Sequence, residues 1–114
     1  MNFESFHFDP KLNAAVKALG YTSPTPIQAK SIPLVLKGRD LMGLAQTGTG
    51  KTAAFALPIL QHLLKGPRRK VRALIIAPTR ELTEQTHEVF EKLGRNTGLS
   101  SVSIYGGVNI RPQI

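Results

Sequence analysis

Residues 45–52, Ala45-Gln46-Thr47-Gly48-Thr49-Gly50-Lys51-Thr52, have the types and spacing to bind a triphosphate. Gly48 and Gly50 can take positive φ and turn backbone N–H groups toward phosphate oxygens, because glycine has no Cβ to forbid those angles. Lys51 puts a point charge where β- and γ-phosphates would lie, and the Thr52 hydroxyl is a ligand for Mg²⁺. A helix starting at Lys51 adds the positive end of its dipole. The common phosphate-loop pattern opens on glycine, and here Ala45 takes that place, so the entry turn must tolerate a small Cβ. The competing reading is a glycine-rich turn before an ordinary helix.

Elements on either side must hold such a loop in place. Residues 40–45 (Asp-Leu-Met-Gly-Leu-Ala) read as a buried strand leading into it. The helix after it, from Lys51 to about Leu64, carries Phe55, Ile59, Leu60 and Leu63 toward a core, with a kink expected at Pro58. Residues 71–77 are continuously apolar, as a strand of a parallel sheet covered on both faces requires. Pro78 and Thr79 stop that strand and cap a further helix with Leu82, Val89, Phe90 and Leu93 as its apolar stripe, bracketed at its end by Gly94 and Gly98. A third strand is expected at 101–105, running into Gly106-Gly107. The order βαβαβ predicts an α/β fold, a parallel sheet flanked by helices with ligand at the carboxyl ends of the strands.

Upstream, the spacing predicts two helices. Phe3, Phe6 and Phe8 lead into a first helix capped by Asp9, begun by Pro10, striped by Leu12, Ala15, Val16 and Leu19, and closed by Gly20. Pro24 and Pro26 stiffen the next turn, Thr25 caps a second helix from Pro26, and Pro33 is expected to end or kink it. Residues 1–37 therefore read as a helical region and 38–114 as the α/β part.

Fifteen Lys and Arg against seven Asp and Glu give a net charge of +8 and a pI near 10.3. That balance suits a polyanion, and the densest basic run is Lys65, Arg68, Arg69, Lys70 and Arg72. A solvated loop that keeps the protein soluble would look the same. There is no cysteine, so disulfides and thiolate metal sites are excluded, which fits a cytoplasmic protein. His7, His62 and His87 are too scattered to suggest a metal site, and no apolar run approaches the roughly 18 residues of a membrane span.

Three segments together resemble the DEAD-box family of ATP-dependent RNA helicases. Gly20-Tyr21 with Pro24-Thr25-Pro26-Ile27-Gln28 looks like the family's Q motif, including an upstream aromatic that falls on Phe3. Residues 45–52 match its nucleotide motif, in which Ala45 is ordinary, and Pro78-Thr79-Arg80-Glu81-Leu82 matches motif Ia. Gly106-Gly107 sits where the family has its GG motif, and the ending Gly-Gly-Val-Asn-Ile-Arg-Pro-Gln resembles the bacterial RhlE-type members.

The resemblance implies a partial RecA-like P-loop domain. It implies that Gln28 reads the adenine edge and Phe3 stacks on the ring, and that Ala45, Gln46, Thr47, Gly48, Thr49, Gly50, Lys51 and Thr52 hold ATP and Mg²⁺. Pro78, Thr79, Arg80, Gly106 and Gly107 would meet an RNA backbone without regard to sequence, with Glu81 orienting Arg80. Each has a plainer alternative: a helix-surface glutamine for Gln28, a core-sealing ring for Phe3, a helix cap with a surface arginine for residues 78–80, and a simple turn for Gly107. None of the seven acids forms the Asp-Glu-Ala-Asp motif. The chain therefore reads as the N-terminal part of a longer helicase, unable by itself to hydrolyse ATP and prone to self-association through an unpaired strand edge. A different P-loop enzyme would need only residues 45–52, and an RNA-binding module would need no nucleotide site.

Overall fold

The structure is a computed structural model and describes residues 2–43, 50–66, 71–95 and 97–104. Its elements are a 3₁₀ turn over Phe3–Phe6 and four helices: α1 Pro10–Ala18, α2 Pro26–Leu36, α3 Lys51–Leu64 and α4 Arg80–Leu93. The N-termini of α1, α2 and α4 fall where capping side chains place them. Asp9 accepts from the Lys11 N–H at 2.9 Å, Thr25 accepts from the Gln28 N–H at 3.4 Å, and Thr79 accepts from the Leu82 N–H at 3.2 Å. These are the orphan donors that a helix start must satisfy from outside its own ladder.

Pro33 neither ends α2 nor displaces its cap, because the helix runs on to Leu36. Pro58 likewise lies inside α3 and is buried. Each proline forfeits one helical hydrogen bond, a loss on the order of 3 kcal/mol. Packing on the same turns offsets it: Ile32 and Leu57 are both fully buried, and each such side chain contributes roughly 1.5–3 kcal/mol on leaving water.

The core gathers Phe3, Phe6, Phe8, Leu12, Val16, Ile32, Ala53, Ala56, Leu57, Leu60, Phe90 and Leu93. The inward face of α3 is therefore Ala53, Ala56, Leu57 and Leu60, with Phe55 and Ile59 partly buried at its margin. α2 and α4 both pack on α3, and α1 touches α3 and α4. Among the described residues no helix is long and apolar enough to cross a membrane.

The described residues do not show the expected sheet. Among the described residues no strand is paired: 40–43, 71–77 and 101–104 carry neither ladder nor helix. Nor is 71–77 covered on both faces, since Val71, Leu74 and Ile76 are 92%, 82% and 86% exposed. A strand is defined by bonds to a neighbour, and its apolar faces are buried only by layers from elsewhere in the chain, so an apolar run cannot supply either by itself. Residues 44–49 and 105 lie outside the described residues.

Candidate nucleotide-binding site

The α2–α3 contact builds the site from two short motifs 22 residues apart. Gln28, on the first turn of α2, is only 4% exposed. Its Oε1 accepts from the Thr25 N–H at 2.9 Å, which with the Thr25 hydroxyl completes a capping box. Its Nε2 donates to the Gly50 carbonyl at 3.2 Å. A buried amide must have partners, and here both ends of the amide are held by backbone, one in each motif. The surface-glutamine reading of Gln28 is thereby overturned.

Gly50 is the N-cap of α3 at φ +85°. A Cβ at this position would lie 2.4 Å from Gln28 Nε2, so the residue needs glycine both for its left-handed backbone and for the close approach of Gln28. No side chain caps α3; its first-turn N–H groups, Lys51 and Thr52 stand together at the positive end of a 14-residue helix. Lys51 and Thr52 are half-buried. Ala45, Gln46, Thr47, Gly48 and Thr49 lie outside the described residues.

Phe3 is packed inside the protein. It is 5% exposed, stacked on Tyr21 with ring centroids 6.0 Å apart and 27° between planes, and edge-on to Phe6. The 3₁₀ turn packs on α1 and brings the ring against these neighbours. Beside it, Asn2, Asn13, Val16, Lys17, Tyr21 and Thr22 line a shallow hollow of roughly 340 Å³. Asn13 donates to the Phe8 carbonyl at 3.2 Å, while its Oδ1 is buried without a partner. Sequence reading did not single out Asn13, because a lone asparagine on a helix has no signature.

The second group of candidates lies at the start of α4. Pro78, Thr79 and Arg80 are exposed, and the Thr79 carbonyl also accepts from the Thr83 hydroxyl at 2.9 Å. Arg80 Nε lies 3.8 Å from Glu84 Oε1, a solvated pairing worth little by itself. Gly106, Gly107 and the basic residues at 68–70 lie outside the described residues. Arg72 donates to the Leu63 carbonyl at 2.9 Å and the Lys65 carbonyl at 3.2 Å, closing the end of α3. Among the described residues no three His, Asp or Glu side chains gather as a metal site. The Thr52 hydroxyl is an oxygen donor of the kind Mg²⁺ takes alongside waters and phosphate oxygens.

Known proteins resemble this chain over nearly all of it. A model of the DEAD/DEAH box helicase family matches residues 25–114. The ATP-dependent rRNA helicase RRP3 of Ajellomyces capsulatus is 54% identical over 112 residues, covering 98% of this chain and 23% of the relative. Its namesake from Saccharomyces cerevisiae is 50% identical over 115 residues, again 98% of this chain and 23% of the relative. Among solved structures, an RNA helicase from Chaetomium thermophilum bound to ADP aligns with a TM-score of 0.89 at 42% identity, over 98% of this chain and 28% of that one. A DEAD box protein from the hyperthermophile Methanococcus jannaschii gives 0.90 at 38% identity, over 99% and 31%. These curated relatives are fungal, so the likeness is not specific to the bacterial RhlE-type branch. The chain spans less than a quarter of their length.

Proposed function

The chain belongs to the DEAD/DEAH box helicase family, and from that premise we propose that it forms the adenine-nucleotide-binding start of an ATP-dependent RNA helicase. The observation that carries the reading is the junction of Gln28 with Gly50, where the residue fitted to an adenine edge is bonded to the phosphate-loop residue that caps α3 at 3.2 Å. An amide has two N–H donors and two acceptor lone pairs. With one of each held by backbone, Gln28 keeps one of each for the adenine edge. The nucleotide would extend from there to the N-terminus of α3, where the backbone N–H groups of the loop and Lys51 hold phosphate oxygens. Thr52 would hold Mg²⁺, which when bound neutralises phosphate charge. Phe3, buried on Tyr21, would contribute to the adenine side by supporting the Tyr21 wall of the hollow or by turning its ring out to stack.

RNA backbone would meet Pro78, Thr79 and Arg80 at the start of α4, together with Gly106 and Gly107, through contacts blind to base sequence. In the intact protein, ATP binding and hydrolysis would drive local RNA unwinding. This chain carries no Asp-Glu-Ala-Asp motif, so it would bind nucleotide without hydrolysing it. We place the protein in the cytoplasm, on its lack of cysteine, and expect weak self-association through the exposed apolar residues 71–77. The RhlE-type affinity rests on residues 106–113 alone.

Titrating the chain with ATP, ADP and GTP at millimolar concentrations, read by NMR shifts, tests this. ATP and ADP should bind with GTP weaker, Lys51→Ala should weaken all three by tenfold or more (on the order of 1.4 kcal/mol), and Gln28→Ala should erase the preference for adenine. Absence of any binding would refute the reading.

A further inference from the structure

The aromatic lead-in, residues 2–9, is tied to the phosphate-loop helix by one long-range hydrogen bond. Gln61 Oε1 on α3 accepts from the Asp9 N–H at 2.8 Å, across 52 residues of sequence, in a part-buried setting. We infer that Gln61 is a positioning residue for nucleotide recognition: by holding the Asp9 N–H it fixes the lead-in on the helix that begins at the phosphate loop. The inference rests on the nucleotide reading above.

Local geometry leaves this N–H to Gln61. Asp9 is the N-cap of α1 and its carboxylate is occupied by the Lys11 N–H. Its own N–H precedes the helix and has no intrahelical partner. His7, at φ +60°, turns the chain so that Phe8 enters the core. Phe6 and Phe8 lie with ring centroids 5.6 Å apart. The hydrophobic burial of these rings is nondirectional, whereas the bond to Gln61 selects one register.

That register bears on a ligand with two ends. Gln61 lies ten residues after Lys51, about 15 Å along α3 from the phosphate end. The lead-in supplies Phe3, which stacks on Tyr21 and helps form the hollow beside the Q motif. A nucleotide has a fixed span, so its apparent affinity falls in proportion to the fraction of molecules whose adenine side sits in register with the phosphate side. A ligand with phosphates and no base is indifferent to that fraction.

The test compares wild type, Gln61→Met, which keeps length but removes the acceptor, and Gln61→Glu, which keeps it. Each is titrated by NMR with Mg²⁺-ATP and with inorganic tripolyphosphate. Gln61→Met should bind ATP about three- to tenfold more weakly, the range of one hydrogen bond, with tripolyphosphate affinity within about twofold of wild type. Gln61→Glu should recover ATP affinity to within about twofold. The Asp9 amide should exchange its hydrogen faster in Gln61→Met than in Gln61→Glu. Equal losses for the two ligands, no loss for either, or an Asp9 amide indifferent to the substitution would each overturn the inference while leaving the nucleotide reading intact. Wild type that binds neither ligand would refute that reading, and the inference with it.

Discussion

The helices around α3 and the segment 71–77 both read as core from their apolar content, yet they differ in burial. Leu12, Ile32 and Leu57 are fully enclosed, whereas Val71, Leu74 and Ile76 lie open to solvent. The difference follows from where each kind of element finds its partners. A helix satisfies its backbone within itself and needs neighbours only for one face. A parallel strand needs a neighbour for its backbone and cover for two faces. The caps at Asp9 and Thr25 and the Leu57 face of α3 therefore suffice for the first region, and nothing local suffices for the second.

The contrast is sharpest in a pair of truncations. Leu57→Ala should cost about 2–5 kcal/mol in urea unfolding, as a cavity in a closed core does. Leu74→Ala should change stability by no more than about 0.5 kcal/mol, the usual range at an exposed site. Comparable losses would break the contrast and mean that 71–77 is covered in solution.

Next in size is Gly50→Ala, which places a side chain in the left-handed region and against Gln28. It should cost about 1–2 kcal/mol and weaken nucleotide binding beyond what the stability loss explains. A variant with wild-type melting and binding would show that the junction relaxes freely.

The caps give a smaller effect. Thr25→Ala should destabilise by about 1 kcal/mol, since it removes half of a capping box whose other half is the buried Gln28. Thr79→Ala, at an exposed N-cap, should cost less, and thermal melts of the two variants set the order. The reverse order would argue that the start of α4 is the better packed.

Smallest is the solvent-exposed pair on α4. Lys92 Nζ stands 2.9 Å from Glu88 Oε1; its hydrogen bond first, and its charge second, hold the Glu88 carboxyl below the usual carboxylate range, against a minor opposing effect of burial. Because the folded value is lowered, the pair's contribution is present above the unfolded carboxylate pKa and fades as pH falls through the folded one. Solvent and salt screen it, so Lys92→Ala should flatten the acid limb of the melting curve only slightly. A large change would show α4 to be held by more than its Phe90 and Leu93 face.

The sequence by itself determined the starts of all four helices, because Asp9-Pro10, Thr25-Pro26, Gly50-Lys51 and Thr79-Arg80 act within a turn of their own position. It also carried the family, through motifs whose residue types are dictated by phosphate and adenine chemistry. Of its two outcomes for Pro33, an end to α2 did not occur, because Ile32 packed in the core sustains the helix, and it overestimated the cover over 71–77. Only the tertiary structure decided that Gln28 is buried against Gly50, that Phe3 is stacked on Tyr21, and that Asp9 meets Gln61. Each is a contact between residues far apart in the chain. Residue type permits such a contact, but the packing of α1, α2 and α3 selects it.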